Sequence, residues 1–263
     1  MAHPTTPLLP RLERIYAHYN RRAFVYPDPL APVLEFSDPR DQEVAGLIAA
    51  SLAFGNVKII LTSIHRVYEA IGHPSELRFH SQARLKRRLS GFRHRYVGEA
   101  EMLDLLLGIQ ALLCETGSLE AAFCSGLNAG DATVVPALSA FVQRLRTPMR
   151  LERNYLISDP ARGSACKRLF MYLRWMVRHD AVDPGPWRAI SPALLVYPMD
   201  THMHQMARTL GLTIRNAADL KTALEVTAAF RAIRPDDPVR YDFSLTRFGI
   251  RKEQALKESL LNS

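Results

Sequence analysis

Long apolar runs are missing from this 263-residue chain: no stretch approaches the roughly 18 residues that a membrane-spanning helix needs. Its first twenty residues lack the apolar core of a secretion signal. A cytoplasmic protein with no membrane partner is the expectation. Cysteine is also scarce. Cys114, Cys124 and Cys166 lie far apart, which excludes a disulfide framework and a cysteine-rich metal or iron–sulfur site and leaves reduced, mostly buried thiols. Alternating strand patterns are nearly absent, and the one strand-like run, residues 193–198, is too short and isolated to build a sheet. Repeats and low-complexity segments are missing as well. Acidic residues are outnumbered: 34 Lys and Arg face 26 Asp and Glu, giving a formal charge of +8 and a pI near 9.6. Such a balance favours an anionic partner, with nucleic acid as the first candidate.

Apolar material is plentiful at 48%, enough for one large domain or two small lobes around a cleft. Helix punctuation recurs through the chain. A first amphipathic helix is expected over 7–19, followed by a proline-bracketed loop at 26–29. Asp38 and Pro39 supply an N-cap and a proline at the first helical position for an all-round apolar helix that Gly55 stops. Asn56 caps the next helix, which ends at Gly72. Residues 84–95 hold six Arg or Lys interleaved with Leu85, Leu89 and Phe92, fitting either a phosphate clamp that includes Lys86, Arg87 and Arg88 or a solvated helix face. Three further helices follow as scaffold. Residues 154–163 are turn-rich and divide the chain into lobes of 38–155 and 163–250, with the 7–19 helix packing on the second lobe and a monomer expected. Late in the chain, a helix over 217–230 precedes one in which Asp236 or Asp237 is the cap, Pro238 the first helical residue and Gly249 the stop. The last thirteen residues read as a short polar helix.

Residues 163–211 carry the chemistry. Ser164 can cap a helix over 165–179, placing Lys167 in its first turn, where the helix dipole and partial burial beside Phe170 and Met171 oppose protonation. A neutral amine is a nucleophile. Asp200 caps a second helix ending at Gly211, so a lysine and a carboxylate stand at two helix starts facing one cleft. The plainer reading of the same residues is a solvated lysine and a simple cap. His202 and His204 are two apart on a helix and point about 200° apart, so they cannot chelate one metal; neither metal nor organic cofactor is expected.

The segment Pro198-Met199-Asp200-Thr201-His202, with Arg208-Thr209-Leu210-Gly211-Leu212 after it, resembles the helix-hairpin-helix DNA glycosylase superfamily, whose catalytic aspartate opens a helix in this way. The glycine-rich hairpin of most members is absent. The longer spacing from Lys167 to Asp200 is similar instead to the archaeal 8-oxoguanine DNA glycosylase branch, in which the lysine opens a helix before an atypical hairpin. The chain also resembles, over most of its length, a bacterial family that shares the blocks at 164–169, 174–178 and 235–243.

The resemblance implies an all-α, two-lobed fold and a base-excision enzyme with AP lyase activity on double-stranded DNA bearing a damaged purine, such as 8-oxoguanine, or an abasic site. Lys167 would be the nucleophile and Asp200 the catalytic carboxylate. Asp237 with Tyr241, one helical turn apart, would hold the extruded base, together with Phe170 and Arg174; the plainer reading makes Asp237 a cap and Tyr241 core. Arg168, Arg178, His202, Lys86, Arg87 and Arg88 would grip the DNA backbone. Two other classes use the same features: a nonenzymatic DNA-binding module, and a Schiff-base lyase for small carbonyls, whose usual β/α barrel needs strands this chain lacks.

Overall fold

The structure, a computed structural model, describes residues 8–151 and 154–250. The chain is mostly helical. In order come α1 (Leu8–Tyr19), α2 (Pro39–Leu52), α3 (Val57–Ile71), α4 (Gln82–Arg88), a hairpin of β1 (Arg93–His94) and β2 (Val97–Gly98), then α5 (Glu99–Thr116), α6 (Leu119–Cys124) and α7 (Val135–Arg146). After the break come α8 (Lys167–Val177), α9 (Thr201–Thr209), α10 (Leu220–Ile233) and α11 (Asp242–Ile250). The antiparallel hairpin, two residues per strand, is the sheet among the described residues and was not legible as strand. Residues 193–198 pair with no strand.

Short polar side chains start the helices. Asp38 accepts from Arg40 N with Pro39 behind it, Asn56 accepts from Lys58 N, and Asp219 accepts from Thr222 N. These bonds satisfy amides that have no partner inside the helix. The all-round apolar α2 is buried from Val44 to Leu52 and packs on α8, α3 and α6. Gly46 lets α8 approach, since a Cβ there would lie 2.8 Å from the Met176 side chain. Beside it, buried Glu43 accepts from Leu119 N, Glu120 N and Trp187 Nε1 at 2.9–3.0 Å, tying α2 to the start of α6 and to the return loop after α8. Burial raises its pKa despite those three donors. On the far side α1 packs on α11, and α11 on α9.

The second half is pinned by two buried arginines, Arg174 in the last turn of α8 and Arg178 at its C-cap. Arg174 binds Asp183, at 3.2 Å, and Asp242 of α11. Arg178 binds Asp237 at 2.9 Å and Asp180 at 2.8 Å, and also reaches Asp183. Asp180 in turn accepts from Tyr16 of α1 at 3.0 Å. Charges withdrawn from water need such partners, and removal of one side leaves the other uncompensated.

Several local expectations are corrected. Ser164 does not cap α8: its hydroxyl accepts from Cys166 N, Cys166 turns left-handed at φ 44°, and the helix runs Lys167–Val177 instead of 165–179. The basic run 84–95 is not one helix, since α4 ends at Arg88 and β1 begins at Arg93. No helix starts at Asp236 or Asp237. Asp237 is taken by Arg178, residues 236–241 form turns, and α11 begins at Asp242. Cys114 is exposed, while Cys166 is buried. The expected helix over 251–263 lies outside the described residues.

Arg178→Met should lower stability by about 3–5 kcal/mol, because Asp183 and Asp237 lose their counter-charge, and thermal unfolding should move down by about 10 °C. An unchanged melting temperature would show that Arg178 is not a structural brace.

Candidate active site

Lys167 is the first residue of α8 and Asp200 the N-cap of α9, so two helix N-termini meet at one place. Their local chain geometry sets this up. Cys166, left-handed without being glycine, is a strained position of the kind that persists only where surroundings enforce it. Burial holds its thiol neutral, with the pKa pushed up to about 11. From the end of α8 the chain returns along its own helix: Gly185 N donates to Trp175 O at 3.0 Å and Trp187 N to Met176 O at 2.8 Å. It then passes Tyr197, whose ring stacks on Phe230 of α10 at 4.8 Å and whose amide donates to Thr227, before reaching Asp200.

Asp200 divides its carboxylate between two tasks. Oδ1 accepts from Met203 N at 2.8 Å and caps α9; Oδ2 lies 2.8 Å from Lys167 Nζ. Burial alone would raise its pKa, but the charge and hydrogen bond of Lys167, the Met203 amide and the neighbouring His202 hold it below the usual carboxylate value. Both side chains of the pair are about one-third exposed.

The lysine opens into a cleft of about 700 Å³. One wall is the α2–α3 corner at Phe54 and Gly55; another is the loop at Pro27 to Pro29, held by Asp28 pairing with Arg247 of α11. Asp242, a residue missed in the sequence, lies on its lining with Arg174 bonded behind it. Burial raises the Asp242 pKa, Arg174 and Lys167 oppose this, and Asp200 adds to it. A carboxylate flanked by Tyr241 and Phe243 at a helix start was the available signal. Among the described residues no group of three His, Cys, Asp or Glu side chains could hold a metal ion.

The structure brings together Lys167, Asp200 and Arg174, and disperses most of the other candidates. Phe170 is core, 1% exposed, and does not line the cleft. Tyr241 is equally buried, edge-on to Tyr16, with its hydroxyl donating to Glu13 at 2.6 Å and accepting from Arg234. With Asp237 on Arg178, that pair braces α1 and α8 instead of holding a base. Arg174 lies on the cleft lining, but its guanidinium is already bound to carboxylates. Arg178 is buried, with its guanidinium bound to Asp180, Asp183 and Asp237. Arg168 reaches the cleft wall, yet its guanidinium donates to Ser51 O and Tyr155 O. His202 is exposed and lines a separate cavity of about 290 Å³ between α1, α9 and α11, against Gly249. Lys86 and Arg87 are exposed on α4, whereas Arg88 caps the end of α3 by donating to Glu69 O and Ala70 O at 2.6 and 3.2 Å.

A helical protein with a lysine–carboxylate pair at two helix starts is the class this geometry defines. Residues 28–251 match the family described as Protein of unknown function (DUF2400), and the chain belongs to that family. No curated protein and no solved structure matches it.

Because the folded pKa of Asp200 lies below its ordinary 3.8, the pair's stabilisation is complete above that value and is lost as pH falls through the folded one. The stability gap between wild type and Asp200→Asn, measured by urea unfolding, should hold from about pH 7 to about pH 5 and close below about pH 4. A gap that widens in acid would contradict the pairing.

Proposed function

We propose that this protein is a DNA base-excision glycosylase with AP lyase activity that removes a damaged purine such as 8-oxoguanine. The observation that carries this reading is the 2.8 Å contact of Asp200 with Nζ of Lys167, which lines a cleft whose volume lies within the roughly 300–1,000 Å³ of small-molecule sites. On this reading the fold has two lobes, 38–155 and 163–250, with the cleft between them and the segment from α8 to α9 standing in for the hairpin. The formal charge of +8 favours a polyanion, and the N-termini of α8 and α9 present free amides where a backbone phosphate would lie.

The chemistry needs no metal. Asp200 takes a proton from the Lys167 ammonium, and the freed amine attacks C1′ of an extruded nucleotide as the bond to the base breaks. The base leaves with the bonding electron pair and receives the proton from Asp200. Ionised again, Asp200 faces the positive charge that develops on the sugar. A proton then passes from the attached nitrogen to O4′ as the C1′–O4′ bond breaks, which opens the sugar ring and leaves a protonated Schiff base at C1′. Removal of a C2′ proton then expels the 3′ phosphate and nicks the strand, and water releases the lysine. Asp242 lines the same cleft with its pKa raised by burial, and on this reading it is the group that meets the base edge.

Lys167→Gln should abolish excision on an 8-oxoguanine duplex while preserving fold and duplex affinity, and Asp200→Asn should lose about 10²–10³ in rate. Full excision by Lys167→Gln would refute the lysine assignment. A wild type that binds duplex but excises no damaged base would establish the alternative, a nonenzymatic DNA-binding protein.

A further inference from the structure

A row of aromatic rings leads out of the cleft, and nothing in the chemistry above uses it. Phe54 lines the cleft wall. Tyr96 stacks on it with centroids 5.3 Å apart and planes at 29°, and Tyr155 meets Tyr96 edge-on at 5.5 Å. Large apolar rings are normally buried, yet Tyr96 and Tyr155 are 58% and 57% exposed.

Their mounting is rigid. The Arg168 guanidinium lies 5.0 Å over the Phe54 ring while donating to Ser51 O and Tyr155 O, so the residue after Lys167 holds two rungs at once. Tyr96 sits at the tip of the β1–β2 hairpin. That hairpin is fixed to the α2–α3 corner by His94, which bonds Phe54 O at 3.1 Å and Ser63 at 2.9 Å. The other tip residue, Arg95, is left-handed at φ 55° and packs on Gly55, where a Cβ would lie 2.8 Å from the arginine side chain. Strain of this kind, in a turn that lifts a tyrosine into solvent beside a cleft, accompanies function more often than stability. Arg93 and Arg95 are exposed on the same hairpin, supplying positive charge next to the rings.

Rings already immobilised lose little entropy on stacking with a flat partner, and neighbouring cations suit a partner that carries phosphates. We infer that the exposed rings of Tyr96 and Tyr155, with Phe54 stacked behind Tyr96, form a stacking ladder in the sense of two adjoining aromatic surfaces for an unpaired nucleobase beside the cleft. The DNA this protein takes therefore has a base outside the helix in addition to the one in the pocket, as at a single-stranded stretch, a bulge or a bubble. The inference rests on the nucleic-acid reading above and specifies which form of the polymer the site accepts.

Fluorescence anisotropy with two labelled strands of equal length and charge tests it: oligothymidine, and a strand built wholly of base-free tetrahydrofuran units. Wild type should bind oligothymidine about tenfold or more tighter than the base-free strand. Tyr96→Ala and Tyr155→Ala should each remove most of that margin without changing affinity for the base-free strand, while Tyr96→Phe and Tyr155→Phe should keep it. Equal affinity of wild type for the two strands, or alanine variants that bind oligothymidine like wild type, would overturn the ladder. Ring-dependent binding without covalent trapping on abasic DNA would refute the enzyme and leave the ladder standing. Trapping without base-dependent affinity would do the reverse.

Discussion

Arg174, in the last turn of α8, and Arg178, the residue that ends it, are both withdrawn from water, so each must find carboxylates or destabilise the fold by several kcal/mol. Their partners come from different places: Asp180 and Asp183 on the return loop, Asp237 in the turn before α11, and Asp242 at the start of α11. One helix is thereby locked to a loop, a turn and another helix. Through Asp180 and Tyr16 the lock extends to α1. The cleft inherits its shape from this arrangement, because the helix that ends in the network begins with Lys167.

Seen from the site, the arrangement concentrates positive potential. Two helix N-termini converge, a lysine opens one of them, and Arg174 lies behind. Asp200 and Asp242 oppose it, one low in pKa through its lysine, the other raised by burial. Two carboxylates whose environments push them apart are the usual raw material for separate proton-handling roles. The strained Cys166 fixes the direction in which Lys167 enters α8.

What the sequence made legible was what local chemistry decides. Asp38 with Pro39, Asn56 and Asp200 are caps because a short side chain bonds amides two or three residues on, and that depends on spacing alone. The approach of Lys167 to Asp200 was readable because each opens a helix with one helix and a return between them. Burial was not readable in the same way. Arg168 and Arg178 read as DNA-backbone contacts and Arg174 as a base contact, but each has a partner far off in sequence, 117, 59 and 68 residues away, beyond any local signal. The same cause displaced the base-contacting pair: Asp237 and Tyr241 were given a shared helical face, whereas a distant arginine took Asp237 and α11 began at Asp242. The hairpin at 93–98 escaped notice because two residues per strand leave no alternation to detect.

The central claim concerns one lysine among six, since the chain contains Lys58, Lys86, Lys167, Lys221, Lys252 and Lys257. Its most direct test is to reduce the protein with borohydride on abasic DNA and to locate the adduct by tandem mass spectrometry of the digested protein. Attachment at Lys167 is the predicted result. Attachment at Lys58, whose neighbours Val57 and Ile60 line the same cleft, or no adduct at all, would contradict it.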